Sequence, residues 1–436
     1  MMNDMTDLSN FGEKSVPIFR IIAIFTFLSI TYGQRIDSTL YANLEAIGEW
    51  KSYYRLNESM DYDFISKPAT IDSVDFREDG SIKLRVLRRL FRPLLGQTDQ
   101  NQVMSQLETI RSAYPFINDQ TLISFARFGE KQIAAVVDFH PQFKSEISGI
   151  IGASKGNDGK WITTGEFDIH LENSRKQGTS MDVVWRQPTA KSRYMNFAYE
   201  TPFLFSLPLG ARIGFDQDFV EKTYVSESSM GAITGLWPMG IWMFGGKKES
   251  SLDLILDESY KTESIMMGFL ADRRNNRWLP SRGNHWKSII NLGRFSDGEG
   301  SEKSVELEVK IGQYKSWKES TLYFSVWAHG NWVDGRQLPY SKQVKFGGAG
   351  TLRGYHENQF NDDWVIVQSS EWIMGDMDRS QLFLFTDIPF ANGLNIQPGY
   401  GLGFRQYNGK IMINIAAGFS GQLSNTKIHL KFSSNL

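Results

Sequence analysis

KIHLKFSSNL, residues 427–436, alternates almost without interruption. Ile428, Leu430, Phe432 and Leu436 fall on one face, and Lys427, His429 and Lys431 on the other. A period of two marks a strand with one face in an apolar medium and the other in a polar one. A soluble sandwich meets that description, and so does a barrel wall in a membrane. One strand does not separate the two; its neighbours do.

Working back along the chain, KIMINIAAGF, QLFLFTD, DWVIVQSSEW, TLYFSVWAH, SVELEVKIGQY, RYMNFAYET, TSMDVVWRQ and KWITTGEFDIHLE repeat the pattern, split by clusters of Gly, Asn, Asp, Ser and Lys. About sixteen such runs of about ten residues, ending in aromatics, are expected of an outer-membrane barrel with an apolar outer face and a polar interior. Roughly 290 residues follow Phe143, about 18 for each of sixteen strands with its connection. A closed barrel satisfies every backbone group in lipid, so spanning helices are not required. The fold class read here is mainly β: a sixteen-stranded antiparallel transmembrane barrel over 143–436, preceded by a small periplasmic α+β domain.

Composition narrows the functions. The 436 residues carry a net charge of −2, which gives no reason to expect a nucleic-acid partner. There is no cysteine, hence no disulfide frame and no thiolate chemistry. Aromatics make up 13%, a high share that girdles would use. Mean hydropathy is −0.33, and one apolar run, VPIFRIIAIFTFLSITYGQ, approaches membrane length. Its uninterrupted part, Ile21 to Ile30, is too short for a spanning helix of about 20 residues. Thr31 and Gly33 stand at −3 and −1 of a cleavage before Gln34, so residues 1–33 read as a signal peptide, with an uncleaved anchor as the alternative.

Residues 34–67 read as a linker or a truncated domain remnant. From 68 to 142 the order is clearer. TIDSVDF alternates as an edge strand would. KLRVLRRLFRPLLG spaces Leu84, Leu87, Leu90 and Leu94 for one helix face, and Pro93 should end that helix. Thr98 or Asp99 caps a second helix with Val103, Leu107 and Ile110 on its stripe. TLISFARF and KQIAAVVDFHPQ are two further strands. The order is β-α-α-β-β.

One stretch does not fit the alternation. FGGAGTLRGY, 346–355, packs four glycines, an arginine and a tyrosine into ten residues. It approaches the dinucleotide fingerprint G-x-G-x-x-G, but Arg353 stands where the last glycine should be. Gly347, Gly348, Thr351, Leu352, Arg353, Gly354 and Tyr355 match G-G-x-x-[ST]-[LVI]-R-G-[YF] on the longest loop. SSEW with Glu371 follows on the next strand, and LFLFTD with Asp387 on the one after. In this order, behind a β-α-α-β-β unit, these features resemble the BamA/TamA superfamily of outer-membrane insertases and two-partner secretion transporters. The resemblance covers residues 68–436.

The resemblance implies that residues 68–142 form a POTRA (polypeptide-transport-associated) domain. It also implies that the loop between barrel strands 11 and 12 folds into the lumen, where Arg353 meets Glu371 and Asp387. A guanidinium bonds carboxylates bidentately, and glycines at positive φ let the backbone approach the wall. Tyr355 would stack or hydrogen-bond beside it. Whether such an arginine only staples a plug or also gates is left open by the sequence. First and last strands, near 144–153 and 426–436, would meet at a weak lateral seam that includes Ile147, Gly149, Ile428, Leu430 and Phe432. The implied partners are unfolded outer-membrane or secreted polypeptides, outer-membrane lipid, and periplasmic or lipoprotein accessory subunits; no cofactor or metal is implied. The chain departs from the main insertases in offering one POTRA domain, and its last residue is Leu436 instead of an aromatic.

Other motifs dissolve under inspection. GASKG, 152–156, matches G-x-S-x-G around Ser154, but NDGKWITTG follows where the nucleophile elbow needs a helix. GNDGK lacks the first glycine of a P-loop. The six histidines include no i, i+4 pair. Lys83, Arg85, Arg88, Arg89 and Arg92 form one basic helix face, read as solvated or as attracted to anionic headgroups beneath the barrel. The function expected is assembly or translocation of other polypeptides without enzymatic chemistry. A dedicated secretion pore or a passive porin is the alternative.

Overall fold

Between residues 70 and 138 the apolar period switches from two to helical and back, and the chain folds accordingly. The computed structural model describes residues 53–56, 62–65, 70–78, 80–128, 132–155, 161–189, 191–205, 207–255, 257–421 and 426–435. The signal-peptide reading and most of 34–67 lie outside the described residues, as does Leu436. Two short strands, β1 (Tyr53–Leu56) and β2 (Tyr62–Ile65), pair antiparallel. Then come β3 (Thr70–Arg77), α1 (Leu84–Leu90), α2 (Gln100–Ala113), β4 (Leu122–Phe128) and β5 (Gln132–Asp138).

Helix α1 gives way at Arg92–Leu94 to a 3-10 turn holding Pro93, which has no N–H to continue an α-helix. Asp99 caps α2, its carboxylate accepting from the Asn101 amide at 3.0 Å. Val86, Leu87 and Leu90 of α1 and Val103, Leu107 and Ile110 of α2 are buried, together with Ile71, Ile123 and Val137 of the sheet. Leu84 is 39% exposed. As the first helical residue it falls off the end of the buried face, and Val86 takes its place there. The sheet order is β3-β5-β4, with β3 parallel and β4 antiparallel to β5, so β3 and β4 are both edges.

The barrel begins with β6 (Glu146–Lys155), β7 (Trp161–Glu172), β8 (Ser180–Thr189), β9 (Ser192–Thr201), β10 (Gly210–Val220) and β11 (Tyr224–Trp237). It continues with β12 (Gly240–Asp253), β13 (Glu258–Asp272), β14 (Gly283–Asp297), β15 (Gly300–Trp317) and β16 (Ser320–Val333). A loop then carries the ribbon β17 (Val344–Phe346) and β18 (Phe360–Asp362). The wall resumes with β19 (Trp364–Asp376), β20 (Ser380–Ala391), β21 (Gly399–Tyr407), β22 (Ile411–Ser420) and β23 (Lys427–Asn435). Sixteen antiparallel strands close, β23 returning to β6. Strand lengths run from nine residues in β21 to eighteen in β15, so many exceed the ten expected. Stagger is the reason: β15 pairs β14 from Gly300 to Tyr314 but β16 from Ser304 to Trp317. Tilted strands in a barrel meet their two neighbours over offset stretches.

The alternation holds at the level of side chains. Ile213 and Phe215 on β10, Trp242 and Phe244 on β12, Ile265 and Met267 on β13, and Leu382 and Leu384 on β20 are exposed on the outer face. Inside, charges pair across the lumen wall, as Lys247 does with Glu306 at 2.8 Å and Lys287 with Glu308 at 2.7 Å. Ser154 sits within β6, in register with Ile162, so GASKG is strand and not an elbow.

The end of the barrel where β6 starts and β23 finishes is its near rim, and the α+β unit rests against it. The Asn173 amide donates to the Ser81 carbonyl at 2.8 Å, Arg89 donates to the Phe205 carbonyl at 2.6 Å, and the Ser112 hydroxyl donates to the Met239 carbonyl at 3.3 Å. Arg282 lies 3.5 Å from Asp119. The unit thus touches four successive near-rim turns, from β7–β8 round to β13–β14. Because Leu107 is fully buried in this small unit, Leu107→Ala is expected to cost the unit about 2–5 kcal/mol. Hydrogen exchange should rise over 70–138 while the barrel keeps its heat-dependent shift on a gel; an unchanged exchange pattern would remove Leu107 from the core.

Candidate functional site

The loop 334–363 is built from its base upward. Ribbon β17–β18 pairs Val344 with Asp362 and Phe346 with Phe360. Val344, Phe346, Leu352 and Tyr355 pack with the wall residues Val365 and Val367 in one buried cluster. At the tip, the Gly347 amide donates to the Thr351 hydroxyl at 2.8 Å, and Gly348 and Leu352 exchange backbone bonds of 2.9 and 3.1 Å. Gly347 and Gly348 take φ of +125° and +87°, a region closed to most side chains. This tight knot ends at Leu352 and delivers Arg353 to the wall.

Arg353 meets the expected partners. Its Nε and Nη2 donate to the two oxygens of Asp387 at 2.8 and 2.6 Å, and its own amide donates to Asp387 at 3.0 Å. Nη1 donates to Glu371 Oε1 at 2.5 Å. The side chains are 12%, 3% and 1% exposed for Arg353, Glu371 and Asp387, so these are charges out of bulk water and must be matched. Two groups missed from the sequence complete the match. Arg405 on β21 lies 2.9 Å from Glu371, making two cations against two carboxylates. Phe385 and Phe383 lie under the two guanidiniums, 3.8 Å from Arg353 and 4.0 Å from Arg405, as cation–π partners. Period-two parity along LFLFTD and GLGFRQY places Phe383, Phe385, Asp387 and Arg405 on the inner face; that was the available signal.

Gly354, at φ +92°, carries the loop against β22. A Cβ there would stand 2.9 Å from the Phe419 carbonyl carbon, and one on Gly418 would stand 2.7 Å from the Gly354 nitrogen. The Gly354 amide also approaches His429 Nε2 on β23 at 3.4 Å. Tyr355 does not reach the arginine: its hydroxyl donates to the Gln397 carbonyl at 2.7 Å and its ring meets Phe360 edge-on. At the loop's other side Lys342 pairs with Glu249 at 2.9 Å and Lys345 with Asp218 at 2.6 Å. The loop therefore spans the lumen, from β10 and β12 to β19, β20 and β23.

The seam residues lie where the strands close. Ile428, Leu430 and Phe432 are 74%, 54% and 52% exposed on the outer face, and Ile147 is 42% exposed. Across the seam only Ser434↔Ile147 and Asn435↔Glu146 are in register among the described residues. The flanking pairs, β22–β23 and β6–β7, run over eight and ten positions. Gly149 and residues 428–432 thus have ladder partners on one side only. Lys431 lies 3.9 Å from Glu146, an exposed contact of small worth.

A second strut was not foreseen. The connection 273–282 folds across the near rim. Arg277 donates to both oxygens of Glu172 at 2.6 and 2.7 Å and to the Gln142 carbonyl at 3.2 Å. Trp278 stacks on Tyr407 with ring centres 4.5 Å apart, and Lys144 lies 4.8 Å over the Trp278 ring. Burial holds the Lys144 ammonium below its ordinary value, against the opposing pull of Glu146. The Gln381 amide donates to the Pro280 carbonyl at 3.5 Å. This strut joins β13–β14 to β7, β20 and β21.

A family model described as the Omp85 superfamily domain matches residues 167–387, in agreement with the resemblance read from the loop and its acidic partners. CdiB from Escherichia coli is 11% identical, with 98% of this chain and 88% of that one covered at a TM-score of 0.57. CdiB from Acinetobacter baumannii is 13% identical, covering 96% and 85% at 0.55. BamA from Haemophilus ducreyi lacking POTRA domains 1–3 is 12% identical, covering 93% and 94% at 0.47. At these identities the likeness is one of fold. No curated protein matches the chain in sequence.

Arg353→Ala leaves Asp387 buried without its bidentate partner, at an expected cost of about 3–5 kcal/mol. Trypsin should then cut within 334–363 of the inserted barrel faster than in the parent chain. Arg353→Lys should rescue little, since an ammonium has no fork to bridge two carboxylates. Cleavage at the parental rate would show that the loop is held by something else.

Proposed function

The chain belongs to the Omp85 superfamily, and on that premise we propose that it is an outer-membrane barrel that assembles other polypeptides into that membrane through its seam. In this reading residues 68–142 are a POTRA domain in the periplasm, 1–33 are a signal peptide, and the near rim faces the periplasm. The clients are unfolded polypeptides with strand-forming sequence. No covalent step is involved.

The observation that carries the reading is the two-pair closure between β6 and β23. Each missing rung leaves a backbone donor or acceptor that lipid cannot satisfy. An incoming strand satisfies them by β-augmentation. The α+β unit supports the same reading, since the fastenings it makes run from the β7–β8 turn to the β13–β14 turn, on the side away from β23. The two struts across the lumen speak against a passive channel, because each would have to leave before solute could pass.

A second reading is export of a dedicated partner through the lumen. In its favour is a cavity of about 490 Å³ behind the near rim, lined by Tyr114, Phe143, Lys310 and Tyr323 among others, which a chain entering from the α+β side would meet first. The two readings separate by what must move. Because the chain has no cysteine, Ile147→Cys with Ser434→Cys ties the seam specifically; directly opposed strand residues fall within disulfide reach. Under oxidation the tied protein should lose assembly of outer-membrane barrels, read by membrane proteomics in cells depleted of the parent protein, and reduction should restore it. Unimpaired barrel assembly with the seam tied would sink the seam reading. Selective loss of one secreted protein on depletion would establish export.

A further inference from the structure

The near-rim turn between β9 and β10, residues 202–209, is apolar and lies on the outside. Its sequence PFLFSLPL holds Phe205 at 86% exposure, Leu207 at 49% and Leu209 at 39%. Phe205 has a φ of +54°, a left-handed conformation that a bulky residue adopts only when its surroundings impose it. A strained aromatic displayed with no protein against it calls for a partner outside the protein. The strands that lead into this turn present Phe197, Ile213 and Phe215 on the outer face, so the turn continues the barrel's lipid-facing belt beyond its near end.

Helix α1 is fastened to the same turn. Arg89 Nη1 donates to the Phe205 carbonyl at 2.6 Å, and its guanidinium lies 5.8 Å from the Phe203 ring centre. The helix start is fixed to the next near-rim turn, where the Lys83 amide donates to the Lys176 carbonyl at 3.0 Å. So α1 lies along the rim. Lys83, Arg85, Arg88 and Arg92 are exposed. They make no ion pair among the described residues, and the segment 83–92 contains no acid. Arg85 and Arg88 stand three apart on one side of the helix, and Arg92 opens the 3-10 turn that follows it.

From this juxtaposition we infer that α1 and the 202–209 turn form a docking surface for anionic phospholipid of the membrane leaflet at the near rim. The turn inserts Phe205 and Leu207 among the acyl chains, as aromatics at a membrane interface do, and the arginines of α1 meet the phosphates above them. Continuity with the lipid-facing belt favours lipid over an acidic polypeptide as the occupant. The inference rests on the proposed placement of the barrel in a membrane, and not on which clients it handles. Its consequence is that the α+β unit is held flat against the bilayer under β7–β10, on the side away from the seam, in membranes that carry negative headgroups.

The test uses the full chain in nanodiscs of phosphatidylethanolamine with or without phosphatidylglycerol. Single cysteines at Leu84→Cys and Phe205→Cys carry a fluorophore, and the lipid carries a headgroup nitroxide quencher. Quenching of the Leu84 label should rise with phosphatidylglycerol and fall with salt. In the Arg85→Gln, Arg88→Gln, Arg92→Gln variant the phosphatidylglycerol dependence should weaken by about a hundredfold, roughly fivefold per charge. The Phe205 label should be quenched in both membranes. Equal quenching at Leu84 with and without phosphatidylglycerol would overturn the proposal, as would an unquenched Phe205 label. Stronger protection of Leu84 by an acidic peptide than by the lipid would reassign the surface to a polypeptide. If the triple variant does not fold, the salt dependence of the singly labelled chain decides. Failure of the chain to enter nanodiscs would instead remove the membrane placement on which the inference stands.

Discussion

A guanidinium buried in the middle of a barrel is the constraint around which the loop is organised. Moving an ion of that size out of water costs several kcal/mol even after relaxation. The guanidinium meets that cost with three hydrogen bonds to two carboxylates and the face of Phe385, and the Arg353 backbone amide adds a fourth. The carboxylates in turn need cations of their own. Arg405 supplies the second, so two positive and two negative charges share one largely buried site. Removing any one leaves an odd charge behind, and the rest of the loop has to be shaped to prevent that. The positive-φ glycines and the bare contact of Gly354 with β22 are read most simply as consequences. A Cβ at that contact would hold the loop off the wall and lengthen the charge-assisted bonds.

Much of this was legible in the chain, and the rest was hidden for definable reasons. Alternation fixes which residues face lipid, because a slip of one would invert every side chain at once; hence Ile428, Leu430 and Phe432 lie on the outer face that the pattern gave them. The loop arginine and its two carboxylates come from the resemblance carried by FGGAGTLRGY, SSEW and LFLFTD. Arg405 was also within reach, since Leu402 and Phe404 on one parity place it on the other. The strut at 273–282 was not. Most near-rim turns take two or three residues and this one takes ten, which marks it as unusual. Yet its main partner, Glu172, is 105 residues away, and no local pattern encodes that distance. Leu84 shows the limit on helices: periodicity finds the stripe but not where the sheet beneath it ends.

The barrel is not equally closed all round. Ladders of eight to fifteen pairs hold neighbouring strands elsewhere, against two at the seam. The side-chain fastenings are also unevenly placed. The Arg277 strut grips Glu172 on β7 and the segment leading into β6. The α+β unit fastens to the turns from β7 to β14. The unit thus braces the barrel on the β6 side of the seam, and the strut also reaches β20 and β21 on the other side through Gln381 and Tyr407. Strand β23 has neither brace. Beyond the two rungs to β6 and the weak Lys431–Glu146 contact, its ties among the described residues are its ladder to β22 and the loop.

That last tie joins the two halves of the site. The Gly354 amide reaches His429 on β23, one residue after the arginine that reaches β19 and β20. Strand β23 is thus steadied from inside the lumen by the same loop segment that Arg353 anchors. If the loop withdraws, β23 loses its interior contact and is left with one ladder of backbone bonds, each worth about 0.5–1.5 kcal/mol net. The edge it shares with β6 contributes only two rungs against separation. On the proposed seam reading, a structural staple and a gate are then not alternatives for Arg353. The more firmly the arginine staples the loop, the more firmly β23 stays closed, and whatever draws the loop away from Glu371 and Asp387 also weakens the hold on the strand that borders the seam.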